Sequence, residues 1–248
     1  RLPDRQLHEA DPHDQRPIVN LLTEQIEFAN VLVLNKADQV TERQLGELRA
    51  VLHKLNPSAR IVPAVFGQVP PEEILNTGLF NLQEAEQTIG WKAELEKAHH
   101  LPETEEYGIS SFVFRDARPF HPERFWRYVS EEWPGEVIRS KGLFWLASRP
   151  HDALNWGQAG GSLRAESAGS WWAAIPHREQ HPAFLENRAT IMQRWNPQFQ
   201  DRVNELVFIG QDMNEERIRQ ELAGCLCTEA EIRHWQQGGT FPDPWPAF

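Results

Sequence analysis

The sequence comprises 248 residues, of which 40% are hydrophobic and 10% aromatic, so the chain can bury a sizeable core and is not disordered. Its formal net charge of −11 excludes non-specific binding to nucleic acid or to an anionic membrane surface. No stretch approaches about 18 consecutive apolar residues, so we expect no membrane association. The two cysteines, Cys225 and Cys227, are too few and too close for a disulfide framework, and we expect a cytoplasmic protein.

The first predicted elements alternate between helix and strand. Apolar residues at helical spacing predict a helix at 16–29, and the apolar run at 31–34 predicts a strand buried on both faces of a mostly parallel sheet. Thr41 and Gln44 have the spacing of a capping box that opens the next helix. A second apolar run at 60–66 contains a proline and predicts an edge strand. Strand, helix and strand in this order indicate a parallel α/β unit.

A change of pattern divides the chain into two domains. Short helical pieces are predicted at 71–75 and 79–88, and a charged stretch without an apolar face follows them. We therefore predict a first domain at 1–95, a linker at 96–107 and a second domain at 108–248.

The second domain is predicted to mix strands and helices without strict alternation, which is typical of the α+β class. Asp212 and Glu215 are expected to cap one of its helices, and Thr228 with Glu231 another. Strands are predicted from residue 109 and at 136–149, 153–175 and 201–211, and helices from His121, at 182–195, at 214–223 and from Thr228.

Polar residues follow the first predicted strand directly, at the edge of the sheet where ligands bind in open α/β proteins. The Asp38 carboxylate can accept hydrogen bonds from the ring N–H and the exocyclic amine of guanine, neither of which adenine offers there. A charged acceptor left unpaired costs about 1.5–3 kcal/mol per lost bond. Asn35 would tie the loop to the base, and the stem of Lys36 would lie along its plane. The alternative is a polar turn in which Asp38 or Thr41 caps a helix.

The sequence N-K-A-D after a buried strand resembles the guanine-recognition motif of P-loop GTPases. With RPFHPERFW, RSKGLFWLASRP, GSWWAAIP and ELVFIGQDMNEERI, it resembles the CobW family of metal-handling GTPases, and the Trp-rich second half most resembles the zinc-metallochaperone branch. The resemblance implies an α/β fold, a partial P-loop G domain with a parallel sheet, followed by an α+β CobW carboxyl-terminal domain. It assigns Asn35, Lys36 and Asp38 to guanine binding, and Gly67 with its neighbours to a second guanine-side loop.

The resemblance also implies a function, the GTP-dependent delivery of a metal ion to client apoproteins, with Zn²⁺ as the expected cargo. The implied cofactors are GTP and Mg²⁺, and the implied partners are GTP and a client metalloprotein. The resemblance leaves open whether the protein forms a homo-oligomer. The sequence contains neither G-x-x-x-x-G-K-[ST], which would hold the phosphates and Mg²⁺, nor the metal-holding C-x-C-C. Both precede residue 1 in the family pattern, so the chain is expected to be the later part of something longer.

Because both motifs are absent from the sequence, the prediction leaves open whether this chain is an enzyme. We assign no catalytic residue and no metal ligand, and we expect no GTP hydrolysis by this chain alone, because phosphoryl transfer depends on phosphate positioning. The alternative function is a non-catalytic protein-interaction module that no longer binds nucleotide.

Two residue pairs could bind a metal. His177 and His181 have i,i+4 spacing, but Pro182 predicts a helix that starts after His181, which favours a capping or solvated role. Cys225 and Cys227 could chelate a soft metal, and the alternative is a pair of buried, unreactive thiols.

The second domain also offers a candidate contact surface. Trp171 and Trp172 are adjacent on a predicted strand, so one should be buried and the other exposed. Arg139, Lys141 and Arg149 flank a predicted strand and could contact a client or a second copy, or form an ordinary exposed strand face.

Overall fold

The structure is a computed structural model that describes residues 18–80 and 106–247. The predicted helical piece at 79–88 and the predicted linker at 96–107 lie mostly outside the described residues. No helix within the described ranges is both long enough and apolar enough to cross a membrane.

The first described part is the predicted α/β unit. Its two strands pair in parallel, with Val31 opposite Arg60. The capping box is confirmed, because the Thr41 side chain accepts a hydrogen bond from the Gln44 backbone N–H and the Gln44 side chain accepts one from the Thr41 backbone N–H. The elements are α1 (Ile18–Phe28), β1 (Val31–Leu34), α2 (Glu42–Leu55), β2 (Arg60–Pro63) and α3 (Pro71–Ile74).

Both strands of this unit differ in detail from their predictions. β1 is not buried on both faces, since Val33 is 41% exposed and the rest of the strand is half-buried. Within the described residues β1 has a strand partner on one side only. β2 ends at Pro63, and the chain then turns through Phe66 and Gly67, which both have positive φ. The residues predicted to end the strand therefore form a loop.

The second described part is an α+β unit built on a five-stranded antiparallel sheet. Its strand order is β3-β7-β4-β5-β6, with every neighbouring pair antiparallel. The elements are β3 (Ile109–Asp116), α4 (Pro122–Glu131), β4 (Val137–Phe144), β5 (Asp152–Ala159), β6 (Ser162–Ser170), α5 (Pro182–Gln193), β7 (Asn204–Gln211), α6 (Glu215–Cys225) and α7 (Glu229–Gln236).

One predicted helix cap is confirmed and one is wrong. The capping box of Thr228 and Glu231 opens α7. The cap of α6 is Asn214, whose side chain accepts a hydrogen bond from the Arg217 N–H at 3.0 Å. Asp212 does not cap α6, because its backbone has a φ of 53° and its N–H donates to a carbonyl at the start of β3.

The five-stranded sheet is covered on both faces. Side chains alternate along β7, so Leu206 and Phe208 lie in the main core with α4 and α6. Val207 and Ile209 point to the opposite face, where they pack with Leu55 of α2. Each such side chain contributes about 1.5–3 kcal/mol when fully buried. The α/β unit is thus attached to the second unit through an apolar contact.

Candidate functional site

The candidate site lies where the two parallel strands end. Asn35, Lys36 and Asp38 follow β1, and all three are exposed. The loop that carries them is bound to the segment after β2, because the Ala37 N–H donates to the Ala64 carbonyl at 3.0 Å. The structure therefore places the three predicted residues together at the carboxyl edge of the sheet, the usual position of a ligand in this fold class.

Asn35 links this loop to the one that follows β2. Its Oδ1 accepts a hydrogen bond from the Gly67 backbone N–H at 2.9 Å. Gly67 has a φ of 70°, a conformation that glycine adopts without strain. The two loops named by the sequence analysis, one for the base and one beside it, are thus joined by a side-chain contact.

The backbone of the first loop is unusual at Lys36, which has left-handed dihedral angles of φ 63° and ψ 34°. For a residue with a Cβ atom this conformation costs about 1–2 kcal/mol. Such residues cluster where the surrounding structure holds a ligand site in place. Lys36 precedes a single 3₁₀ turn, Ala37–Gln39, that contains Asp38.

Helix capping does not account for Asp38. The N-cap of α2 is Thr41, which makes both bonds of its capping box. Asp38 lies three residues earlier, outside the helix, with an exposed side chain. Its carboxylate is accessible to a ligand.

Asn56 joins the ends of α1 and α2 beside the start of β1, a role that sequence reasoning missed because its partners lie about 30 residues away in the chain. Its side chain is 2% exposed at the end of α2. Its Nδ2 donates to the carbonyls of Ile26 and Ala29, at 2.8 Å each. These bonds hold the last turn of α1 against α2 just before β1 begins, which fixes the start of the strand that leads to Asn35.

The two histidines predicted as a weak metal pair do not share a helix. His177 precedes the 3₁₀ turn Arg178–Gln180, and His181 precedes α5, whose first residue is Pro182. The prediction that Pro182 starts the helix is confirmed.

The two cysteines are free and buried, as the unreactive alternative predicts. Burial raises the pKa of both the Cys225 and the Cys227 thiol to about 12. Within residues 18–80 and 106–247 there is no group of three or more His, Cys, Asp or Glu side chains that could hold a metal ion.

The tryptophan pair does not lie on a strand. β6 ends at Ser170, and Trp172 begins a 3₁₀ turn. Trp171 is buried, and its indole N–H donates to the Asp152 carbonyl at 2.8 Å. Trp172 is half-buried and packs edge-on against Phe184, with 5.3 Å between ring centroids. Trp171 is buried as expected, but Trp172 is half-buried and not exposed, and the turn, not strand alternation, separates the two.

The predicted basic contact surface is wrong. The Arg139 side chain is 3% exposed and that of Lys141 is 16% exposed, and both pair with Glu27. Arg149 pairs with Asp243 at 2.7 Å. Arg139 and Lys141 are withdrawn from the surface because α1 covers the strand face that carries them, and Arg149 is already paired.

The fold defines a class of protein, a parallel α/β unit followed by an antiparallel α+β domain. A family model described as the CobW/HypB/UreG nucleotide-binding domain matches residues 5–63. Another, described as the cobalamin synthesis protein CobW C-terminal domain, matches residues 109–226. Together they match most of the chain, and the chain belongs to the CobW family.

Curated relatives agree with this assignment. Zinc-regulated GTPase metalloprotein activator 1 of Dictyostelium discoideum is 40% identical over 235 residues, which are 93% of this chain and 48% of that protein. The zinc chaperone Rv0106 of Mycobacterium tuberculosis is 30% identical over 239 residues, which are 96% of this chain and 57% of that protein. The chain thus spans about half the length of these relatives.

Among solved structures, the zinc-bound YjiA GTPase from E. coli is 22% identical with a TM-score of 0.40, over 83% of this chain and 54% of that chain.

Proposed function

We propose that this chain supplies the guanine-reading loops and the carboxyl-terminal domain of a GTP-dependent metallochaperone that delivers zinc to a client apoprotein. The observation that carries the proposal is the hydrogen bond between Asn35 and Gly67, which joins two loops at the carboxyl edge of a parallel sheet beside an exposed Asp38. Membership of the CobW family supports the nucleotide, and the names of the two relatives support zinc as the cargo.

The chemistry of the proposed base site follows from Asp38. Its two carboxylate oxygens can accept the ring N–H and the exocyclic amine of guanine at the same time. Adenine lacks these donors in that position, so an adenine nucleotide would leave a charged acceptor unpaired, at about 1.5–3 kcal/mol per lost bond. Lys36, held in its left-handed conformation beside Asp38, can lay its aliphatic stem along the plane of the base.

The proposal for this chain does not extend to binding of the nucleotide's phosphates or of Mg²⁺. The sequence has no phosphate-binding G-x-x-x-x-G-K-[ST], and we assign none of its residues to the phosphates or to Mg²⁺. This chain contributes base specificity and not phosphoryl transfer. The cargo zinc is likewise not assigned to the described residues, among which no suitable ligand group occurs.

A competition experiment tests the proposal. In the protein that carries the complete nucleotide-binding domain, unlabelled GTP should displace a fluorescent GDP analogue, whereas ATP at the same concentration should not. Displacement by the two nucleotides at equal concentrations would contradict guanine recognition. Zinc transfer to a candidate apoprotein, measured with and without GTP, tests the metal side separately.

A further inference from the structure

Phe66 is exposed to an extent that packing does not explain. Its side chain is 84% exposed, more than any other large hydrophobic side chain in the described part of the chain. Burial of a phenyl ring away from water is favourable, and at 84% exposure the Phe66 ring has little of that stabilisation.

The backbone at Phe66 is also unfavourable. Phe66 and Gly67 have φ angles of 52° and 70°, and the turn is closed by a hydrogen bond of 3.0 Å from the Gln68 N–H to the Val65 carbonyl. Turns with positive φ at both central residues favour glycine and asparagine. A phenylalanine there is strained as well as exposed, and strain of this kind clusters at ligand sites.

The turn is anchored on both sides of Phe66 to the loop that carries the guanine-reading residues. Before it, the Ala64 carbonyl accepts the Ala37 N–H at 3.0 Å. After it, the Gly67 N–H donates to Asn35 Oδ1 at 2.9 Å. The ring is therefore carried by a short segment with both ends fixed to the candidate base site.

We propose that Phe66 is the stacking platform for the purine ring of the bound nucleotide, an inference that rests on the proposed guanine-binding function. The flat, apolar face of a base is the partner that an exposed phenyl ring lacks, and aromatic side chains stack on every kind of base. Asp38 and Phe66 then have separate roles, because Asp38 hydrogen-bonds the edge of the base whereas Phe66 stacks on its face. The platform raises affinity without selecting guanine.

These separate roles predict an effect on nucleotide binding that would not occur if Phe66 had only a structural role. Removal of the ring should weaken binding of GDP and of the xanthine nucleotide XDP by the same factor, about 5- to 150-fold, and leave the ratio of the two affinities unchanged. Phe66→Tyr keeps the ring and should bind both nucleotides like the wild type.

The experiment is calorimetric titration of the protein with the complete nucleotide-binding domain, using GDP, XDP and ADP. The variants are Phe66→Ala, Phe66→Tyr and Phe66→Asn, the last of which removes the ring but suits the left-handed backbone. Phe80→Ala is the matched control, because Phe80 is another exposed phenylalanine, at 70%. We expect Phe66→Ala and Phe66→Asn to lose affinity for GDP and XDP equally, with Phe66→Tyr and Phe80→Ala unchanged.

Two results would overturn the inference: full GDP affinity in Phe66→Asn, or an equal loss of affinity in Phe80→Ala. Neither result would affect the preference of the wild type for GDP over ADP, which tests the proposed function itself. If the wild type bound GDP and ADP equally, the proposed function would fail and the inference would fail with it.

Discussion

The Glu27 carboxylate of α1 accepts a hydrogen bond from Nε of Arg139 in β4 at 2.8 Å, across 112 positions of sequence. Both side chains are 3% exposed. The same carboxylate accepts a bond from Lys141 Nζ at 2.7 Å. One buried anion therefore satisfies two cations of the antiparallel sheet, and it attaches α1, the helix that precedes β1, to β4.

Glu27→Gln should destabilise the protein by about 3–5 kcal/mol, because it leaves the buried charge of Arg139 without the carboxylate that pairs with it. The measurement is the free energy of unfolding from denaturant titration. Glu47→Gln is the matched control, since Glu47 pairs with an arginine whose side chain is 83% exposed, and it should change stability by less than about 1 kcal/mol. Similar losses in the two variants would show that the buried cluster is no stronger than a surface pair.

Helix α1 shows which structural features the sequence pattern predicts and which it does not. Its position was predicted within two residues at each end, but its buried face was not. Two of its apolar residues, Leu21 and Leu22, are 37% and 44% exposed, whereas Asn20 and Glu27 are each 4% exposed. Periodicity identifies apolar positions, and it cannot anticipate that a distant strand supplies Arg139 to neutralise a polar face.

Some features that depend only on neighbours in sequence were predicted correctly, although the cap predicted for α6 at Asp212 was wrong. The capping boxes at Thr41 and Thr228 were found because each is complete within four residues. The position of the N-K-A-D loop directly after β1 was predicted for the same reason. The exposed Phe66 was assigned to a strand, because the apolar run continues past Pro63, where the pairing in fact ends. A burial pattern set by tertiary contacts is the part that local reasoning could not supply.

Acid should weaken the link between α4 and α7. The hydrogen bond from Arg124 lowers the pKa of Glu231 from 4.5 to about 2. A carboxyl with a depressed pKa in the folded state adds stability above pH 4.5 and loses that contribution as pH falls towards 2. Glu231→Gln keeps the capping box but removes the charge, so it isolates the pair.

The measured quantity is the difference in unfolding free energy between wild type and Glu231→Gln as a function of pH. Because both side chains are more than a quarter exposed, we expect only about 1 kcal/mol at pH 7 after allowance for screening. The difference should decrease steadily as the pH falls from 4.5 through 2. A difference independent of pH would mean that the variant acts through the cap and not through the ion pair.

The two tryptophans should contribute unequally to stability. Trp171 is 6% exposed, and Trp171→Ala should cost about 3–5 kcal/mol by leaving a cavity and an unpaired Asp152 carbonyl. Trp172 is half-buried, so Trp172→Ala should cost about half as much. Thermal unfolding of both variants measures the contrast, and equal losses would refute it.

The thiols should be unreactive in the folded protein. Cys225 and Cys227 are buried, and burial raises the pKa of each to about 12, so both are protonated at neutral pH. A thiol reagent at pH 8 should label them only after denaturant is added. Rapid labelling of either cysteine in the native protein would contradict the burial that the structure assigns.

Calorimetry with GDP and XDP, on the protein that carries the complete nucleotide-binding domain, measures whether Asp38 reads guanine. Xanthine has a carbonyl where guanine has its amine, so the side-chain amide of Asp38→Asn can pair with it. Glu42→Gln removes a nearby exposed charge as the control and should leave both affinities unchanged. We predict that Asp38→Asn loses about 10- to 150-fold in GDP affinity and gains affinity for XDP. Unchanged affinities for both nucleotides would show that Asp38 does not read guanine.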